Sequence, residues 1–313
     1  MKRFFLITFL CVGLAISSIW FLFPQSMAKA LLTLNNYSAG VSEKTIDTKI
    51  GQIHYLEGGA DKDKADTVVL LHGIFARKEH WVDLIRHLEP DFHVIALDLP
   101  GFGNNLQLKD NEYRLNKQAS NLALVLEQLN VKNAHVGANS MGAQVAALVA
   151  TQRPELFKSL AFIGSPLGVK SAIQSEMESA IKKGYLPLVV QSEKAFHARN
   201  EWLFPETPSI PSPILKTWMQ QELNTPVKNK QIWYSANSFI NTPKLLEVAP
   251  KLLMPSLIIW CKEDKIFHVS GANALQNALP DSRKEIMHGC GHVPMLDKPE
   301  QVADLYVDFL RKL

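Results

Sequence analysis

The sequence predicts an α/β fold, a mostly parallel sheet with helices on both faces and one helical insertion. Three observations predict it. Short apolar runs recur along the chain (TVVLLHG, HVIALDLPG, AHVGANS, SLAFIGS, PSLIIWCKED and KEIMHGCGH), and such near-continuous apolarity marks strands buried on both faces. Segments of helical period lie between most of them, and alternating strand and helix text implies a parallel sheet. The runs end in Gly, Asp, Ser or His, and in such sheets the residues at the carboxyl ends of strands line the ligand crevice.

The first thirty residues read MKRFFLITFLCVGLAISSIWFLFPQSMAKA, with no charge between Phe4 and Phe23. A run of that length spans a bilayer core, so residues 1–28 are expected to form an N-terminal transmembrane helix that anchors the protein to a membrane. Ser26 and Ala28 also fit a small-x-small cleavage site, which leaves secretion after signal cleavage as the alternative. Lys2, Arg3 and the terminal amine outweigh Lys29, which directs the body of the protein out of the cytoplasm.

After a polar connecting stretch, KTIDTKIGQIHYLEGG (Lys44 to Gly59) reads as two strands turning near Gly51. Helical segments follow in HWVDLIRHL, NKQASNLALVLEQLN, MGAQVAALVATQ, SGANALQNAL and the closing QVADLYVDFLRKL. From about Pro166 to Ile240 no strand-like run appears. Roughly seventy residues is far longer than an ordinary α/β connection. Residues 44–165 and 241–313 therefore form the core, and 166–240 a helical cap insertion.

Composition narrows the function. With 313 residues, 47% of them hydrophobic, the chain can bury a sizeable core. A formal charge of +3 from 33 basic and 30 acidic residues makes no basic stripe, so nucleic acid is not an expected partner. The spacings of a metal site are absent, and neither a metal nor another cofactor is expected. Three cysteines are no disulfide framework. Cys11 lies in the apolar run. Cys261 and Cys290 end successive strands; two free buried thiols are the expectation, although outside the cytoplasm a bond between them would brace both loops.

The chemistry starts at HVGANSMG. Ser140 stands between a strand and an alanine-rich helix, with Ala138 and Gly142 two positions away on either side. A strained turn that lifts a nucleophile clear of a sheet needs small residues there. A serine at a helix start also serves as an N-cap, so the other strand ends must supply the rest. In LLHGIF, the amide of Ile74 can turn toward the same crevice; with the amide of Met141 it makes a two-donor oxyanion hole. His72 is read as bonding the loop backbone, and Asp98, in ALDLPGFGNN, as scaffold. Asp264 follows the strand PSLIIWC and His292 the next strand, giving the order Ser140, Asp264, His292. His292 would act as general base and Asp264 would orient it. Glu263 is the alternative acid, and His288 and His268 are alternative bases.

At these residues, LLHGIF, LDLPGFG, HVGANSMG, LIIWCKED and GCGHVPMLDKPE, the chain resembles the α/β-hydrolase superfamily from Lys44 to Leu313, and most of all its membrane-anchored monoacylglycerol lipases and related bacterial lipases and esterases. The resemblance implies the α/β-hydrolase fold, with Ser140 as nucleophile, Asp264 as acid, His292 as base, and the amides of Ile74 and Met141 as oxyanion donors. It departs at Ala138, where the family writes glycine, and at Cys261, where W-G-K-x-D is usual. The related dehalogenases and epoxide hydrolases carry an aspartate at the elbow, which this chain lacks.

The insertion contains YLPLVV (Tyr185 to Val190), Phe196, Trp202, Leu203, Phe204, Ile214, Leu215 and Trp218. Most are expected to pack the cap on itself, and the rest to line an acyl pocket in which each methylene contributes about 0.8 kcal/mol. The expected function is a serine ester hydrolase that cleaves acylglycerol or similar lipid esters through an acyl-enzyme. Carbon-carbon bond hydrolysis or cofactor-free peroxidase chemistry on the same scaffold is an alternative, as is a non-catalytic membrane-tethered binding protein.

Overall fold

The computed structural model describes residues 20–313. The apolar run from Phe4 to Phe23, and with it the expected anchor, lies almost wholly outside them. Among the described residues no helix is long and apolar enough to cross a membrane.

The first described element differs from expectation. Helix α1 (Pro24–Ser38) occupies much of what reads as a connecting stretch. Its inward stripe runs Pro24, Met27, Ala28, Leu31, Leu32, Asn35 and Asn36, the three- and four-residue spacing of one helix face. Two asparagines in that stripe hide it from a reading of apolar residues alone. Arg86 ties the helix end down by donating to Ser38 Oγ at 2.8 Å.

Strands β1 (Val41–Thr48) and β2 (Gly51–Gly59) form the expected antiparallel hairpin. Strands β3 (Thr67–Leu71), β4 (His93–Leu97), β5 (Ala134–Ala138), β6 (Phe157–Ile163), β7 (Ser256–Cys261) and β8 (Ser282–Met287) complete an eight-stranded sheet in the order β1-β2-β4-β3-β5-β6-β7-β8. Its pairings are parallel except for β1 with β2 and β2 with β4. All of β4, β5 and β7 is buried, as their unbroken apolar text requires.

Helices α2 (Val82–Leu88) and α11 (Pro299–Leu310) belong to one apolar core; α3 (Leu115–Gln128), α4 (Ser140–Gln152) and α10 (Gly271–Ala278) belong to the other. Helix α4 is buried from Ser140 through Ala150. Its alanines and glycine let it lie close against sheet and neighbours on every side.

The insertion between β6 and β7 holds α5 (Glu176–Lys182), α6 (Glu193–Leu203), α7 (Ser212–Leu223) and α8 (Pro226–Ala236), followed by α9 (Leu245–Val248). It contains no strand. Ser175 caps α5, accepting from the amide of Glu178 while the Glu178 carboxylate takes the amide of Ser175. Helix α7 packs against α1.

Cys261 and Cys290 form a disulfide, with Cα atoms 5.5 Å apart, and this corrects the expectation of free thiols. The parallel pairing of β7 with β8, in which Cys261 lies opposite Met287, brings the two loops to bonding distance. With 29 residues of separation, the crosslink is expected to stabilise the fold by about 3 to 4 kcal/mol in the chain-entropy picture. The Cys261→Ser, Cys290→Ser double variant should show that loss in urea unfolding; a stability equal to the wild type would mean that sheet pairing alone holds the loops.

Candidate active site

Ser140 opens α4 with φ +52°, a left-handed conformation that costs an L-residue about 1 to 2 kcal/mol. The crowding that imposes it is visible at Gly142, where a Cβ would stand 2.4 Å from the carbonyl oxygen of His72 and 2.9 Å from that of Leu71. A larger residue would push the helix off the β3 end. Ala138, fully buried as the last residue of β5, shows that a methyl group fits two positions before the serine.

The loop after β3 closes on this turn. A Cβ on Gly73 would meet Ser140 Cβ at 3.1 Å, so the backbone passes directly beside the serine. Ile74 and Met141 flank Ser140 around a small recess, and neither amide finds an acceptor among the described residues. The first turn of α4 leaves the Met141 N–H without an intrahelical partner.

On the adjoining strand ends, His292 Nδ1 lies 3.1 Å from Asp264 Oδ2. Asp264 Oδ1 accepts from the amides of Ile266, at 2.8 Å, and Phe267, at 3.2 Å. Both carboxylate oxygens are thus engaged, and both side chains are buried. With Nδ1 committed to the carboxylate, Nε2 is the free nitrogen. His292 and Ser140 line one cavity, but the Ser140 hydroxyl makes no hydrogen bond to the imidazole.

The alternative residues lie elsewhere. Glu263 accepts from the amide of Gly289 at 3.0 Å, His288 is exposed, and His268 bonds Ser270. Asp98 takes the amide and ammonium of Lys78 at 2.8 and 2.9 Å, in a buried network that adds Glu79 and Glu43. That engagement accords with a scaffold role. His72 Nδ1 donates to the carbonyl of Gly73 at 2.7 Å while Nε2 accepts from the amide of Leu99 at 3.0 Å. It fixes the loop that carries Ile74.

Two contributors escape the sequence reading. Asn139 Nδ2 donates to the carbonyls of Ile163, at 2.8 Å, and His292, at 3.0 Å, joining the serine turn to the histidine loop. Ser165 Oγ sits 2.8 Å from His292 Nδ1 and donates to Asp264 Oδ2. Ser165 ends SLAFIGS, one of the punctuated strand ends, so the signal that marks the other site residues also marks it.

The cavity shared by Ser140 and His292 is walled largely by the cap. Cap residues Leu188, Phe196, Leu203, Phe204, Leu215 and Trp218 line it, so six of the apolar residues in the insertion face the serine. Arg77, His80 and the pair Arg199–Glu222 interrupt this apolar wall. The cap also reaches the histidine loop directly: the amide of His292 donates to the carbonyl of Leu203 at 2.9 Å. A Cβ on Gly291 would stand 2.3 Å from that same oxygen.

The family model of the alpha/beta hydrolase fold matches residues 66–299. Lipase 1 of Psychrobacter immobilis is 27% identical over 78% of this chain and 76% of its own length. Monoacylglycerol lipase abhd6-A of Xenopus laevis is 25% identical over 98% of this chain and 93% of its own. Among solved structures, a membrane phospholipase A described as a bacterial virulence factor superposes with a TM-score of 0.88 at 32% identity, covering 100% of this chain and 99% of that one.

The loop-fixing histidine makes stability depend on pH. Burial, reinforced by Arg77 and Lys78 and opposed by Asp98, pushes the pKa of His72 down to about 4 from 6.5. Between those values the unfolded chain binds a proton that the folded chain refuses, so stability is full above about pH 6.5 and falls as the pH drops toward 4. The loss from His72 is about 3 kcal/mol, and buried His135 is shifted in the same direction. Urea unfolding between about pH 8 and pH 4.5 should show this decline, with a shallower slope in His72→Gln; a flat wild-type profile would contradict it.

Proposed function

Since the chain belongs to the alpha/beta hydrolase fold family, we propose that it is a serine ester hydrolase acting on lipid esters through an acyl-enzyme. The observation that carries this reading is the buried Asp264–His292 pair opening onto the same apolar cavity as the strained Ser140. Ser140 Oγ attacks the ester carbonyl, and His292 Nε2 takes its proton as the hydroxyl turns toward the imidazole. Asp264 holds the Nδ1–H and stabilises the imidazolium. The amides of Ile74 and Met141 receive the developing oxyanion. The tetrahedral adduct collapses and expels the alcohol, which leaves with the proton from His292. Water then repeats the sequence on the acyl-enzyme, releasing the fatty acid and restoring Ser140.

The substrate class follows from the cavity and the relatives. The apolar cap side chains that line the cavity suit an acyl chain, which needs no polar contacts along its length. The relatives named as lipase and monoacylglycerol lipase support acylglycerols, and the likeness to a membrane phospholipase A extends the class to glycerophospholipids. The apolar run from Phe4 to Phe23 supports association with a membrane, where such esters reside.

A fluorophosphonate probe should label the wild type on Ser140 and leave Ser140→Ala unlabelled. On p-nitrophenyl esters and monoacylglycerols, Ser140→Ala and His292→Ala should each lose at least about a thousandfold in kcat. Labelling at another residue, or turnover retained in Ser140→Ala, would remove the assignment.

A further inference from the structure

Resting on the lipid-ester reading above, we propose that Arg77 is an anion-recognition residue of the cavity and takes the phosphodiester of a glycerophospholipid whose ester carbonyl lies at the amide of Ile74. Arg77 is only 9% exposed, and its guanidinium lies over the Trp218 ring, 4.7 Å from the centroid. One polar contact holds it: Nη2 donates to Gln221 Oε1 at 3.1 Å. A guanidinium carries five N–H donors in a planar fork, so most of its donor capacity is unused.

No carboxylate among the described residues lies within salt-bridge distance of Arg77. The nearby acids have other partners: Glu222 receives both terminal nitrogens of Arg199 at 2.6 and 2.8 Å, and Glu79 shares Lys78 with Asp98 and Glu43. His80, on the same wall, is held neutral by burial. Arg77 is therefore a cation of the cavity wall with no direct ion-pair partner among the described residues. An anionic ligand would use the N–H donors that Gln221 leaves free.

Position selects the ligand. Arg77 follows Ile74 by three residues on one loop, so a single lipid can meet the oxyanion donor with its ester and the guanidinium with its phosphate. Arg77 also borders a polar groove lined by Gln221, Asn224 and Asn104 and by Glu43 and Glu79, both of which pair with Lys78, where a hydrophilic headgroup leaves the apolar cavity. The planar fork matches two phosphate oxygens at once. The carboxylate of a released fatty acid is the other anion that offers such a pair of oxygens.

The test uses the full chain, with lysophosphatidylglycerol and a monoacylglycerol of the same acyl chain as probes and laurate as the carboxylate control. In Ser140→Ala, Arg77→Gln should reduce the preference for lysophosphatidylglycerol over monoacylglycerol, read as the ratio of Kd values, at least about tenfold. Arg77→Lys, which keeps the charge without the fork, should fall between. With Ser140 intact, the ratio of kcat/KM values for the two esters should shift in parallel. An unchanged ratio, even with both substrates weakened, would make Arg77 a packing residue and overturn the proposal. A tenfold loss confined to laurate would assign the anion as the product carboxylate and overturn it equally. Absence of turnover on every ester would defeat the hydrolase reading alone, because the Kd ratio in Ser140→Ala still decides the role of Arg77.

Discussion

Parallel pairing is the constraint on which the site depends. Strands β3, β5, β6, β7 and β8 run the same way through one sheet, so each delivers its last residues to a common edge. Ile74, Ser140, Ser165, Asp264 and His292 are separated by up to 218 positions in the text, yet each follows a neighbouring strand end. No long side chain has to reach across the molecule. A slip of one residue in any strand would turn its inward face outward, and the wholly buried strands leave no room for that.

Small residues convert this alignment into a rigid arrangement. Gly142 lets α4 approach the β3 end, Gly73 lets the loop after β3 lie beside the serine, and Gly291 lets the histidine loop meet the cap. Asn139 then bonds the end of β6 and the histidine loop at once. The strained backbone of Ser140 is held by packing on every side, and its cost is small beside that of the many buried apolar side chains of α4 and the central strands.

Legibility in the sequence followed the physics of burial. The core strands were readable because burial on both faces leaves unbroken apolar text, and the cap was readable because no such text occurs between β6 and β7. Ser140, Asp264 and His292 stood out as polar residues terminating apolar runs. Helix α1 was hidden because Asn35 and Asn36 occupy its inward stripe. The disulfide was not legible because strand adjacency fixes distance but says nothing of redox environment. Arg77 and Ser165 were missed for another reason: their significance lies in partners, Trp218 and Gln221 for one and Asp264 and His292 for the other, that only tertiary structure brings near.

The bond from the His292 amide to the Leu203 carbonyl fastens the histidine loop to the C-terminal turn of α6. Admission of a bulky lipid by a swing of that helix would pull the imidazole with it. Cap and histidine loop thus share one main-chain tether, and a displacement of either would be felt by the other.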